Sequence, residues 1–164
     1  MSMPTLTADE PLAWLEKTTA SWHKLLTSHP EFFTTPCDIA GVQTVAQLLQ
    51  HIFAAELRYA ERLANLPVSD YANIAFDTVD SLYATHGRAV AIFHQLLDSD
   101  IDWNQSIEFT TRSSGAVRST RKTVLFHTLL HGIRHYAQLA TLARQHGFKT
   151  EWPMDYLFMG VERV

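Results

Sequence analysis

Residues 120–145 read TRKTVLFHTLLHGIRHYAQLATLARQ, an uninterrupted run of helical length with His127, His131 and His135 at every fourth position. This spacing predicts a helix from about Thr120 to Gln145, and Gly147 just beyond it is placed to end the helix in the left-handed conformation. Residues i and i+4 share a helix face and lie about 6 Å apart along the axis. Two imidazoles at that spacing can lean toward one ion. His127 and His135 are about 12 Å apart by the same rise, and an ion bound at about 2.0–2.1 Å cannot be reached by all three. One adjacent pair can therefore act as ligands, either 127/131 or 131/135, and a further ligand must come from another helix.

Three earlier segments have helical periodicity. The first runs from about Asp9 to Ser28. Thr7 and Glu10 have the spacing of a capping box, Pro11 falls in the first turn, and Leu12, Leu15, Trp22, Leu25 and Leu26 form the apolar stripe. His29-Pro30 ends it, because the residue before proline is pushed out of the helical region. After a loop with Pro36 and Gly41, Thr44 and Gln47 open a second helix that reaches about Asn65 before Pro67. Val45, Leu48, Leu49, Ile52, Phe53, Leu57 and Leu63 are its inner side. The third spans Asp77 to Leu97, with Val79, Leu82, Ala89, Ile92, Phe93 and Leu96 inward and Gly87 weakening it modestly. Between Asp98 and Thr120 the helical rhythm breaks. Ile107–Thr111, Ser113-Ser114-Gly115 and Ala116–Ser119 read as a short hairpin with a glycine turn. A short helix is expected in the tail after Pro153. Four helices joined by moderate loops imply an all-α four-helix bundle in one domain spanning residues 1–164.

Composition removes several classes of function. The chain has 164 residues, 46% hydrophobic and 18% charged, which is ordinary for a globular domain. Thirteen Lys and Arg against seventeen Asp and Glu give a net charge of −4, so no nucleic-acid partner is expected. No apolar run approaches the roughly 20 residues of a membrane span, and the N-terminus lacks the basic start and apolar stretch of a secretory signal. Cys37 is the single cysteine, so an intrachain disulfide is impossible and a reducing, cytoplasmic location is expected. In its loop, with no base nearby in sequence, Cys37 reads as an inert, half-buried thiol.

Nine histidines are unusual for this length. His51 lies midway along the second helix among Leu48, Leu49, Ile52 and Phe53. A lone histidine on an apolar face is more often a satisfied core residue, but together with the pair on the fourth helix it becomes the best candidate for the third ligand. A di-iron carboxylate bundle would need Glu-x-x-His on two helices, which the sequence lacks.

The run Leu48-Leu49-Gln50-His51-Ile52-Phe53-Ala54-Ala55-Glu56 resembles the second-helix motif of the DinB/YfiT-like proteins. His131-Gly132-Ile133-Arg134-His135-Tyr136-Ala137-Gln138-Leu139 is similar to their fourth-helix motif, H-x-x-x-H followed by R-G-Q. Leu142–Gly147 is similar to the family's helix ending, and the resemblance covers nearly the whole chain in element order. It implies an up-down-down-up bundle and a divalent ion held by His51, His131 and His135. Tyr136 and Ala137 depart from the family's Arg and Gly, which puts any role of that arginine in doubt, while Gln138 is retained. The family includes thiol S-transferases, so a low-molecular-weight thiol and a small electrophile are the reactants this resemblance implies. The alternative is a non-catalytic module in which the ion ties two helices together. Three neutral imidazoles with an open position suit Zn²⁺ or Ni²⁺, with Fe²⁺ also admitted.

Other residues have blander readings. Glu56 is about 140° around the helix from His51 and reads as a structural or surface carboxylate. Gln138 could orient a ligand, with a helix–helix hydrogen bond as the default. His127 reads as exposed. His23, His29, His86, His94 and His146 have no informative spacing. Trp14, Trp22, Trp103 and Trp152 read as core filler, and Arg112, Arg118, Arg121 and Lys122 as a solvated basic patch. Bundles of this kind often pair through exposed apolar faces, so a homodimer is expected.

Overall fold

The computed structural model describes residues 5–111 and 114–162. Four helices dominate it: α1 (Asp9–Ser28), α2 (Val45–Leu63), α3 (Val79–Leu97) and α4 (Arg121–Gln145). Two antiparallel hairpins complete the framework. One pairs β1 (Pro36–Ile39) with β2 (Val42–Thr44), and the other pairs β3 (Ser106–Thr111) with β4 (Gly115–Thr120). The protein is thus mostly helical with two small antiparallel sheets; the hairpin before α4 was expected and the one before α2 was not.

The second hairpin was legible in sequence, and its ladder runs from Ser106↔Thr120 to Thr111↔Gly115. Of the expected turn and basic patch, Ser113 and Arg112 lie outside the described residues. The first hairpin replaces what reads as a loop. Its two-residue turn puts both Ala40 (φ 55°) and Gly41 (φ 75°) in the left-handed region, the requirement of the type I′ turn that matches strand twist. Ala-Gly is a poor signal for that turn, since a non-glycine residue there costs about 1–2 kcal/mol.

The helix ends follow their local chemistry. Thr44, Thr78 and Thr120 each accept a hydrogen bond from the backbone N–H three residues on, each such cap contributing about 1 kcal/mol. At the start of α1 only half of the expected box forms: the Thr7 N–H donates to Glu10 Oε2 at 2.8 Å. The Gln47 side chain reaches one residue further back than expected and accepts from the Gln43 N–H. α4 ends in a full Schellman motif. Gly147 adopts φ 83°, the Phe148 N–H donates to Ala143 O at 2.9 Å and the Gly147 N–H to Arg144 O at 3.2 Å.

All four helices feed one buried cluster that includes Leu15, Trp22, Leu49, Phe53, Leu82, Phe93, Leu129 and Leu139. Each such side chain contributes about 1.5–3 kcal/mol on leaving water. α2 is central, packing against both α3 and α4. Gly132 lets α4 approach closely: a Cβ there would lie 2.8 Å from Leu15 Cδ1 and 3.3 Å from Glu56 Oε1. That glycine sits next to His131, so the close contact lies at the level where α2 and α4 present their histidines. The expected tail helix is a single 3-10 turn, Tyr156–Met159, whose Tyr156 ring packs edge-on against Trp14. No helix among the described residues is long and apolar enough to cross a membrane.

Candidate metal centre

The apolar stripe of α2 turns Leu48, Leu49, Ile52 and Phe53 into the core, which leaves His51 at the seam facing α4. On α4, His131 and His135 lean to the same point. His131 Nε2 is 3.2 Å from His51 Nε2 and 3.2 Å from His135 Nε2, and the three potential ligand atoms all lie within 4.8 Å of one another. Nitrogens bound tetrahedrally at 2.0–2.1 Å stand about 3.3 Å apart. The two separations from His131 match edges of a coordination tetrahedron, and the three imidazoles together could hold a divalent ion. The structure brings together 131 and 135 rather than 127 and 131. His127 is exposed, its ring 5.7 Å from that of His131.

Two contacts determine the His135 tautomer. Its Nδ1–H donates to Gln138 Oε1 at 2.7 Å, and Arg134 Nη2 donates to its Nε2 at 3.2 Å. Both require the lone pair on Nε2, the atom aimed at the site. Gln138 thus orients the His135 ring, as the outer partner of a metal-bound histidine would, and does not make the helix–helix bond expected of it. His131 has no equivalent support: its Nδ1 is buried without a hydrogen-bond partner among the described residues.

Electrostatics keep the site in its ligating form. Burial, followed by the charges of His135, His51, Arg134 and His127, lowers the His131 pKa to about 3. His135 is also depressed, chiefly by burial, with the Gln138 bond partly opposing it and Arg134 adding to it. Burial and then Arg134 lower His127. Neutral imidazoles offer lone pairs, so His131 and His135 are ready to ligate at neutral pH.

The triad forms part of the wall of a cavity of about 450 Å³ between α2, α4 and the β3 end of the second hairpin. Ala54 and Ala55 leave room beside it, and Tyr59 stands edge-on to both Phe109 and His127.

A second polar cluster lies in the core and was not legible in sequence. Glu56 is fully buried, and His86 of α3 meets its Oε2 at 2.6 Å through Nδ1. Burial alone would lower the His86 pKa, but the charge and hydrogen bond of Glu56, with the charge of Glu16, outweigh it and the net shift is upward. Close by, the Tyr83 hydroxyl donates to Thr19 O, and Thr19 Oγ1 lies 2.8 Å from the Tyr136 hydroxyl. Burial and the Glu56 charge push both phenols well above their usual range. Tyr136 is fully buried against α1, so the position where the resemblance expects an arginine supplies core packing, not a group in the cavity. Of the expected basic patch, Arg118 pairs with Glu108 across the hairpin and Arg121 is buried. Cys37 is half-buried in β1, and burial raises its pKa, in keeping with an inert thiol.

A mostly helical fold in which one helix supplies H-x-x-x-H and a neighbouring helix supplies a third histidine defines a class of three-histidine bundle proteins. The DinB family model matches residues 1–161, and the chain belongs to the DinB family. No curated protein matches the sequence.

Proposed function

We propose that this protein is a metal-dependent S-transferase that joins a low-molecular-weight thiol to a small electrophile, with a divalent ion on His51, His131 and His135. The observation that carries this reading is the convergence of three Nε2 atoms at the wall of an open cavity, with no fourth protein ligand gathered there among the described residues. Three protein ligands and an open position are the catalytic pattern, whereas structural sites close with four. A divalent ion held there, Zn²⁺ or Ni²⁺ first and Fe²⁺ next, supplies Lewis acidity that stabilises a thiolate or lowers the pKa of bound water. The protein's own part is to present neutral imidazoles, orient His135 through Gln138, and enclose the reactants between α2, α4 and β3. In the reaction the thiol loses its proton to solvent, sulfur forms a bond to the electrophilic carbon, and the leaving group departs with its electron pair. A cytoplasmic homodimer with helices running up-down-down-up, in one domain, belongs to the same reading.

The test uses the full chain purified without an affinity tag and loaded with zinc or nickel. Turnover of an alkylating electrophile is followed with a panel of cellular thiols. His131→Ala should reduce turnover by about a hundredfold or more, the loss of about 2.7 kcal/mol of transition-state stabilisation. Turnover unchanged by that substitution removes the ion from the mechanism. The second reading, an ion that only ties α2 to α4, predicts that chelation lowers Tm while no thiol-dependent turnover appears.

A further inference from the structure

The cavity beside the triad carries a charge pattern opposite to that of the whole protein. The chain has a net charge of −4, yet Arg58, Arg62 and Arg134 line this cavity and, among the described residues, no aspartate or glutamate does. Elsewhere arginines find carboxylates, as Arg88 does with Glu61 and Arg118 with Glu108. Among the described residues none of the three cavity arginines has a carboxylate within ion-pair distance. Arg58 Nε is in addition buried with no hydrogen-bond partner among the described residues. Arg58 and Arg62 lie one turn apart on the same face of α2, a like-charge arrangement that is unfavourable on a helix unless something answers it.

The arginines are also held in place. The Arg62 guanidinium lies 5.3 Å from the Tyr59 ring centre and 5.5 Å from that of Phe109, a stacked position that limits its freedom. Arg58 is two turns beyond His51, about 10 Å along the axis, and helical side chains lean toward the N-terminus, here toward the triad. Arg134 uses the His135 lone pair as its acceptor. Once that lone pair is engaged by an ion, its guanidinium is available for another partner. Guanidinium forks match the planar oxygens of carboxylate and phosphate, and a low-dielectric cleft of one sign concentrates the opposite ion.

We propose that the cavity binds a small molecule through its anionic oxygens, carboxylate or phosphate, held by Arg58, Arg62 and Arg134, with its reacting atom at the triad. One of the two reactants in the S-transfer is therefore an acid. This rests on the cavity being where the reactants sit, but Arg58 and Arg62 need no ion to hold the anion.

Calorimetric titration of the full chain, metal-free and zinc-loaded, with succinate, inorganic phosphate and neutral succinamide tests this. Succinate or phosphate should bind both forms, and which of the two binds tighter identifies the anionic group. Succinamide should bind at least about tenfold more weakly. Arg58→Gln and Arg62→Gln should each weaken anion binding about tenfold or more, whereas Arg88→Gln, outside the cavity, should not. In the unmodified chain, the bound anion should protect Arg62 and Arg134 from a dicarbonyl arginine reagent, read by mass spectrometry, whatever the folding of the variants. No anion binding in either form, equal binding of succinamide, or indifference to both arginine substitutions would each overturn the proposal. Anion binding without thiol-dependent turnover would sink only the S-transferase reading.

Discussion

His135 shows how much one side chain depends on its neighbours. Its Nδ1–H is directed to Gln138, and a group that fixes a ligand's tautomer typically accounts for about 10–100-fold in metal affinity. Gln138→Ala should weaken zinc binding by about that factor, measured by competition with a chromogenic chelator, while leaving the fold intact because Gln138 is exposed. An affinity within twofold of the unmodified chain would remove Gln138 from the site. Glu56 and His86 pose a different problem, since a carboxylate fully inside the core is answered, among the described residues, by His86. Removing one member of a buried pair costs about 3–5 kcal/mol, so His86→Ala should lower urea-unfolding stability by roughly that amount at pH 6. The sign of its pH dependence follows from the raised pKa of His86. The pair's contribution is complete below the unfolded value of about 6.5 and fades as pH rises through the higher folded value. The stability gap between the unmodified chain and His86→Ala should therefore shrink from pH 6 to pH 9; a gap that widens contradicts the assignment.

Each helix in this protein is recognisable from its ends and its stripe, but the distance between helices is not. Gly132 makes the point, because in sequence it is only a weak spot in a helix. In the fold it is the place where α4 comes against Leu15 of α1 and Glu56 of α2. Filling such a contact costs about 1–3 kcal/mol through displaced neighbours. Gly132→Val should accordingly lower stability by roughly 2 kcal/mol and also weaken zinc binding, since it pushes His131 away from His51. A variant that is destabilised but binds zinc normally would show that the helix spacing is not what aligns the site. The hairpins differ in how readable they are for a local reason. The second has alternating residues and Gly115 at its turn, whereas the first relies on Ala40 in a left-handed conformation that few alanines adopt.

For the molecule as a whole, an ion shared by α2 and α4 would bind only the folded chain, so occupancy and stability are linked. Zinc at about a hundred times its Kd should add about 2.7 kcal/mol, a rise in Tm of roughly 5–10 °C for a chain of this size. Absence of any shift with a stoichiometric metal would mean that the ion binds elsewhere or equally to the unfolded chain. Acid should release it. Ligating histidines must shed their protons, and His131 and His135 both do so below the ordinary histidine value of 6.5. The midpoint of zinc loss on stepwise acidification should therefore lie below pH 6.5, read as metal per chain after dialysis, and a midpoint above it contradicts an all-histidine site. In the metal-free protein the same depressed values make stability fall as pH drops below about 6.5, where the unfolded chain takes up protons first.

The four helices, most of their caps and the inward residues were present in the linear order of side chains. Periodicity and capping are local properties, settled within a turn or two of each residue. The candidate ligands were legible for a related reason: His131 and His135 must share a face if the segment is helical, and His51 sits on the apolar side of its own helix. Spacing alone left 127/131 and 131/135 open and the family resemblance pointed to 131/135; physically the choice depends on how α2 and α4 pack, since their relative depth decides which pair meets His51. The Glu56–His86 pair and the grouping of Arg58, Arg62 and Arg134 belong to the same category. Their members are far apart or unremarkable along the chain, and it is close packing of α2 against α3 and α4 that buries one set and gathers the other around a single cavity.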